Sequence, residues 1–176
     1  MIWGIDLGVR SYYAAGIDTD GSLTLHEHVL QLPKKTRVKD QAPTERAAEL
    51  TALTQSLRAV ISPWDQVFIE EPPMSGSRNV RTFLKLAQTS AAVAVAAGLS
   101  GVSAMFVPVD TWKMTVVGAG GASKETVALA LKVRSRRYSL QCQGDQNRVD
   151  ATCIALFGTT ATVRGGAIAE ALGVSR

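Results

Sequence analysis

The sequence has little sulfur and little imidazole, with 2 Cys and 2 His among 176 residues. Two lone cysteines, Cys142 and Cys153, exclude a disulfide scaffold and a cysteine-rich zinc site. Two histidines leave little room for a histidine-built metal centre. His26 and His28 fall on one face of an alternating stretch and read as packing residues, because two ligands do not make a site. The chain does not open on a basic segment followed by an apolar stretch, so no secretory signal is expected. The longest apolar run, Ala91–Leu99, is too short to span a bilayer, and no membrane partner is expected. With reduced cysteines, these absences point to a cytoplasmic protein. Internal repeats and low-complexity linkers are also missing.

What is present is a chain of globular composition, 46% apolar and 19% charged. Its length suits one domain with a core of its own, and a two-domain enzyme of about 300 residues or more is not expected. The net charge of +4 is unevenly placed. Residues 1–88 hold 10 basic and 10 acidic side chains, and residues 89–176 hold 9 and 5. A polyanionic partner is compatible with that excess without being required by it.

Hydrophobic patterning predicts an α/β layout. Ile2–Ile5, Tyr12–Ile17 and Leu23–Leu32 read as three strands in an antiparallel meander, with a turn at Asp18-Thr19-Asp20-Gly21. A basic loop, Lys34–Lys39, precedes a helix from Pro43 to about Ile61, with Ala47, Leu50, Leu53 and Leu57 on its apolar face. Val67–Glu70 is a buried-type strand. A loop at Pro72–Ser77, a helix over about Val80–Ala97 and a strand at Ala104–Val109 follow. Thr111–Val117 forms a short helix before the loop Gly118–Gly121, and another helix starts at Ala122 or Ser123 and runs to about Val133. Arg134–Arg137 is a basic break. The last clear helix is Asn147–Phe157, and Thr162–Arg176 reads as a frayed tail or a weak helix. The expected architecture is a five-stranded mixed sheet with helices on both faces, its later strands joined by parallel crossovers.

The carboxylates stand out. Asp6 ends the first strand, Glu70 ends the fourth, and Asp150 lies on the last helix among Val149, Ala151, Ile154 and Ala155. A lone carboxylate on such elements carries a heavy desolvation cost, so it should be paired or bind a cation. Taken singly, each has an ordinary explanation. Asp6 could cap a turn, Glu70 could pair with Arg78 or Arg81, and Asp150 could favour a helix dipole. Taken together, at strand ends of an α/β sheet, they form an all-oxygen donor set that suits Mg²⁺ or Mn²⁺ and disfavours zinc. Two such ions roughly 3.5–4 Å apart clamp a phosphodiester for in-line attack by water.

Lys113 and Lys124 could steady a scissile phosphate or remain solvated surface lysines. The Gly118–Ser123 loop could cradle a phosphate, but it lacks the ending of a nucleotide P-loop. Lys34, Lys35 and Arg37, with Arg134, Arg136 and Arg137, could track DNA phosphates or form solvated loops.

Six segments, in order, resemble the RuvC-type Holliday junction resolvases of the RNase H-like nuclease superfamily. They are Ile5-Asp6-Leu7-Gly8, Phe68-Ile69-Glu70-Glu71, Leu84-Lys85-Leu86-Ala87-Gln88, Lys113–Gly118, Gly121–Val127 and Asp150–Ala155. The resemblance implies an RNase H-like fold, with one nuclease domain over residues 1–160 and a C-terminal tail over 161–176. It implies a homodimeric, metal-dependent endodeoxyribonuclease that nicks four-way junctions symmetrically. Asp6, Glu70 and Asp150 would be its metal-binding catalytic acids, and Lys113 and Lys124 its basic catalytic residues.

The family's fourth acid falls at Asn147. Either Asp145 takes that role, or Asn147 offers a neutral oxygen to a more weakly held second ion, or the asparagine is an engineered substitution. Pro72-Pro73-Met74 stand where many members carry a junction-wedging aromatic, and Met74 could act as the wedge. Arg78 and Arg81 beside that loop join the candidate DNA contacts. The divergence makes a phage or prophage source reasonable. Three other readings share the same features. One is an RNase H-like nuclease for other branched DNA or RNA–DNA hybrids. Another is a junction-binding protein that does not cut. The third is a sugar-kinase-like or actin-like ATPase lobe, for which the chain is too short.

Overall fold

The structure, a computed structural model, describes residues 1–29, 42–72 and 80–171, with side chains through residue 162. The expected strand end at Leu30–Leu32, the basic loop with Lys34, Lys35 and Arg37, and the positions of Met74 and Arg78 lie outside the described residues.

Five strands form one sheet: β1 (Ile2–Leu7), β2 (Ser11–Ile17), β3 (Leu23–Val29), β4 (Gln66–Glu70) and β5 (Ala104–Val107). Their spatial order is β3-β2-β1-β4-β5. The first three pair antiparallel, while β4 pairs parallel to both β1 and β5. The mixed sheet expected from the patterning is therefore the one observed.

Side chains alternate across this sheet, and two helical layers cover its faces. Trp3, Ile5, Val67 and Ile69 point to one face, where α1 (Pro43–Arg58) and α2 (Val80–Leu99) bring Leu53, Leu57, Val93, Ala96 and Ala97. The opposite face carries Phe68 and Val107. It is covered by α3 (Val109–Val117), α4 (Lys124–Arg134) and α6 (Gln146–Ala171) through Trp112, Val116, Val127, Leu131, Val149 and Ile154. Asp6 and Glu70 share the strand parity of Gly4 and Phe68. Both therefore face α6.

Several local readings are corrected. The basic break at Arg134–Arg137 contains a short helix, α5 (Arg136–Gln141). Ser135 ends α4 in an extended conformation and then caps α5, its side chain accepting from the Tyr138 N–H at 3.2 Å. Helix α1 is not apolar along its whole inner face. Ala47 is exposed, and Arg46 and Glu49 are buried instead. Arg46 donates to the Val9, Lys85 and Glu49 oxygens at 2.8–3.0 Å and to Thr89 at 2.9 Å, while Arg10 closes on the other Glu49 oxygen. An ionic cluster this well bonded tolerates burial because each charge has a partner.

Helix α6 continues unbroken through Ala171, well past the expected end at Phe157, so residue 160 lies inside an element. Among the described residues, α2 is long and apolar enough by length and composition to cross a membrane. Here its Thr89, Ser90, Val93, Ala96 and Ala97 face is buried against the rest of the fold.

Helix α6 lies close on β1. A Cβ added at Gly4 would strike the backbone of Ala151, Ile154 and Ala155, and one at Gly158 would strike the Phe68 ring and Ile2. Only hydrogen at these two positions permits that approach. Gly4→Ala should lower stability in urea unfolding by on the order of 3 kcal/mol. Gly98→Ala, whose Cβ would meet open space on α2, should be neutral or slightly stabilising in the same measurement.

Candidate active site

The parallel pairing of β1 with β4 brings Ile5 beside Ile69, so Asp6 and Glu70 follow side by side at the same sheet end. Such carboxyl ends of parallel strands are where α/β sheets form their sites. The helical face of α6 that contains Ala151 and Ala155 packs on Gly4. Asp150 therefore enters from the layer above the strands. Asp6 and Glu70 sense neighbouring acid charge. Asp6 is pushed up to about 8, first by burial and then by Glu70 and Asp150. Burial also raises Glu70 and Asp150, and Asp150 further raises Glu70.

Both candidate lysines belong to this neighbourhood. The Lys124 charge opposes the upward shift of all three acids, and that of Lys113 opposes the shift of Glu70 and Asp150. Lys113 Nζ donates to the Ala122 carbonyl at 2.9 Å, at the end of the glycine-rich loop. That loop leaves α3 through Gly118 in the left-handed region, φ 90°, and enters α4 through Ser123, whose side chain accepts from the Thr126 N–H. The structure thus brings Asp6, Glu70, Asp150, Lys113 and Lys124 together.

Each of two acids is held by a neighbour. Glu70 Oε2 accepts from Trp112 Nε1 at 3.1 Å, and Asp150 Oδ1 accepts from Gln146 Nε2 at 2.7 Å. Among the described residues, no three His, Cys, Asp or Glu side chains stand close enough to hold an ion as they are. Like charges repel at short range, and these two hydrogen bonds engage the acids separately. The donor chemistry nevertheless fits a hard divalent cation. Burial raises all three carboxylates, and the charges of Glu70 and Asp150 add to the rise at Asp6; a nearby cation would act in the opposite sense.

The remaining candidates separate into different roles. Asp145 Oδ1 accepts the Asn147 and Arg148 N–H groups at 2.9 and 3.1 Å, which makes Asp145 the N-cap of α6. Asn147 stands three residues before Asp150, on the same helical face. Arg134, although exposed, caps α3, donating to the Val116 and Thr115 carbonyls at 2.6 and 3.2 Å. Arg81, Arg136 and Arg137 are exposed. Sequence reasoning gave neither Trp112 nor Gln146 a place at the site. A tryptophan beside the candidate lysine was the available signal, since a buried indole N–H requires an acceptor.

A family model described as crossover junction endodeoxyribonuclease RuvC matches residues 2–157. The chain belongs to the RuvC family. That family consists of metal-dependent crossover junction endonucleases. The structure of Thermus thermophilus RuvC is similar, at 21% identity, with a TM-score of 0.66, over 93% of this chain and 96% of that one. T. thermophilus RuvC in complex with a Holliday junction substrate matches with a TM-score of 0.68 and 21% identity, over 93% and 95% of the two chains. The yeast mitochondrial Holliday junction resolvase matches with a TM-score of 0.56 and 16% identity, over 89% and 76%. No curated protein sequence matches the chain. The RuvC fold, and with it the RNase H-like architecture expected above, is thereby established.

The raised acids make a pH prediction for the metal-free RuvC-family protein. Between the ordinary aspartate value of 3.8 and about 8, the folded state keeps a proton on Asp6 that the unfolded chain releases. That contribution to stability is full below the lower value and is lost as pH rises through the upper one. In chelator-treated protein at pH 8, Asp6→Asn should raise the melting temperature by on the order of a few degrees. The gain should fade towards pH 4.

Proposed function

We propose that the protein resolves four-way DNA junctions by paired symmetric nicks, acts as a homodimer, and holds its catalytic metal with Asp6, Glu70 and Asp150. The observation that carries this reading is the meeting of three carboxylates and two lysines at adjacent parallel strand ends in a RuvC-family chain. Its relatives support the substrate. The Thermus protein is solved with a Holliday junction, and the yeast mitochondrial relative is itself a Holliday junction resolvase.

Mg²⁺ is the proposed ion, with Mn²⁺ as a substitute, because the donors are hard oxygens. Bound divalent ions supply activation of the attacking water and stabilisation of the departing 3′ oxygen. The rest is the work of the chain. Asp6 and Glu70 fix the sheet side of the site, and Asp150 closes it from α6. Lys113, anchored on the Ala122 carbonyl, and Lys124 place positive charge where the scissile phosphate gains negative charge. Hydrolysis leaves 5′-phosphate and 3′-hydroxyl ends that a ligase can seal. Arg81, Arg136 and Arg137 offer exposed charge to the DNA backbone. Lys34, Lys35, Arg37, Met74 and Arg78 remain proposed contacts on sequence grounds.

A two-fold dimer would set one site against each of two opposed strands. In support, α2 exposes Val80, Leu84, Val95 and Leu99, and a groove of about 520 Å³ between α2 and β5 is lined by Phe83, Ala91, Val95 and Phe106.

With strand-labelled four-way junctions in Mg²⁺ or Mn²⁺, Asp6→Asn and Glu70→Gln should abolish cutting and leave junction binding largely intact. Lys113→Ala and Lys124→Ala should each slow single-turnover cleavage at saturating DNA by about 10²-fold or more. Cutting at the wild-type rate by either acid variant would refute the site. Tight junction binding by the unaltered protein with no cutting in either ion would leave a binding protein. Forks, flaps and RNA–DNA hybrids assayed alongside identify any other preferred substrate.

For the fourth position we assign Asn147 to the metal side and Asp145 to the helix cap. Asn147→Asp should lower the Mg²⁺ concentration needed for half-maximal cleavage several-fold. Asp145→Asn should leave that concentration unchanged, since Asn also caps helices.

A further inference from the structure

We infer that Trp112 is a positioning residue for the metal site, holding one oxygen of Glu70 so that the other is presented to the ion; this rests on the metal-site reading above. Trp112 is almost fully buried, at 1% exposure, in the core cluster that also holds Phe68 of β4 and Val116, Val127 and Cys153 of the helical layer. Its ring is fixed by that packing. Its single polar atom, Nε1, donates to Glu70 Oε2 at 3.1 Å. An indole N–H can only donate, so the bond fixes the carboxylate as acceptor and defines which oxygen is engaged. Glu70 ends its strand at the carboxyl end of the sheet, where α3 is the element that supplies this donor. The same ring lies under Lys113 Nζ, 5.6 Å from its centroid. One rigid side chain thus touches an acid and a base of the site.

The geometry specifies how the glutamate is used. With Oε2 held by the indole, the carboxylate has a preset orientation in which Oε1 would be the oxygen offered to an ion. Without the donor, Oε2 is left in a largely apolar wall and the carboxylate is free to rotate. Partners that orient metal ligands in this way typically change affinity by roughly 10–100-fold when removed. A role in packing alone makes a different prediction. Loss of core volume would lower stability, and any nearby core truncation would act alike.

The test uses the full chain without DNA, titrated with Mn²⁺ in a calorimeter, and compares Trp112→Phe, Val116→Ala and Glu70→Gln. Phe retains an aromatic ring in the core and removes the donor together with part of the ring volume, a loss for which Val116→Ala is the control. Val116→Ala removes core volume from the same helix and touches neither acid. Trp112→Phe should weaken Mn²⁺ binding about 10-fold, while Val116→Ala should stay within about twofold of the unaltered protein although its melting temperature falls. A second readout follows the indole N–H resonances during Mg²⁺ addition. The Trp112 resonance, identified by its absence in Trp112→Phe, should shift, and that of the exposed Trp64 should not.

Unchanged Mn²⁺ affinity in Trp112→Phe, alongside a strong loss in Glu70→Gln, would overturn the role of Trp112 and leave the metal site standing. Equal weakening by Trp112→Phe and Val116→Ala would reduce Trp112 to packing. Unchanged affinity in Glu70→Gln would overturn both the metal-site reading and this inference.

Discussion

The backbone of α6 rests on Gly4 of β1, and the position of Asp150 over the sheet is measured from that contact. A helix normally stands off a sheet by the thickness of its side chains. Here the facing residues are Gly4 on the strand and small residues on the helix, Ala151 and Ala155, both fully buried. The close approach lets an acid on a helix reach the neighbourhood of acids on two strands. It also explains why Gly158 occurs where a larger residue would strike Phe68 and Ile2. The last helix is held near the sheet at two separated points, and Asp150 precedes the first by a single residue.

This arrangement creates an electrostatic conflict that the remaining residues moderate. Three partly buried carboxylates oppose one another, most visibly at Asp6. Lys113 and Lys124 answer with charge, and Trp112 and Gln146 answer with single hydrogen bonds to Glu70 and Asp150. The glycine-rich loop belongs to the same solution. Its last carbonyl, Ala122, receives Lys113, and Ser123 and Lys124 follow immediately. A loop that looked like a phosphate cradle in the sequence thus also anchors one lysine and launches the helix bearing the other. The apolar wall behind the acids sharpens every one of these interactions by excluding water.

Much of this was legible before any coordinates. The sheet could be read because its strands are short apolar runs bounded by turns, and Asp6 and Glu70 because they end such runs. The apolar pattern around Asp150 marked it in the same way. Less visible were features whose partners lie far away in the chain. The α1 face looked apolar through Ala47, but Arg46 and Glu49 are buried because Arg10, Val9 and α2 supply their partners. Arg134 stood in a basic run that gave no sign of its bonds to carbonyls 18 and 19 residues earlier. Ser135 hid α5 by ending one helix and starting the next. Asp145 and Asn147 read alike in the sequence, which did not show that the Asp145 carboxylate receives the backbone N–H groups at the helix start.

The buried Arg46 has a consequence for how such chains can vary. Its planar fork joins three parts of the fold: the turn after β1 through the Val9 carbonyl, its own helix through Glu49, and α2 through Lys85 and Thr89. A lysine offers a point charge in place of this fork and cannot reach the same set of acceptors. Arg10 depends on Glu49 in turn, because the same carboxylate receives both guanidinium groups. Substitution at one of these positions strands the others. Across homologous sequences, Arg10, Arg46, Glu49 and Thr89 should therefore covary as a block, retained together or replaced together by an apolar set.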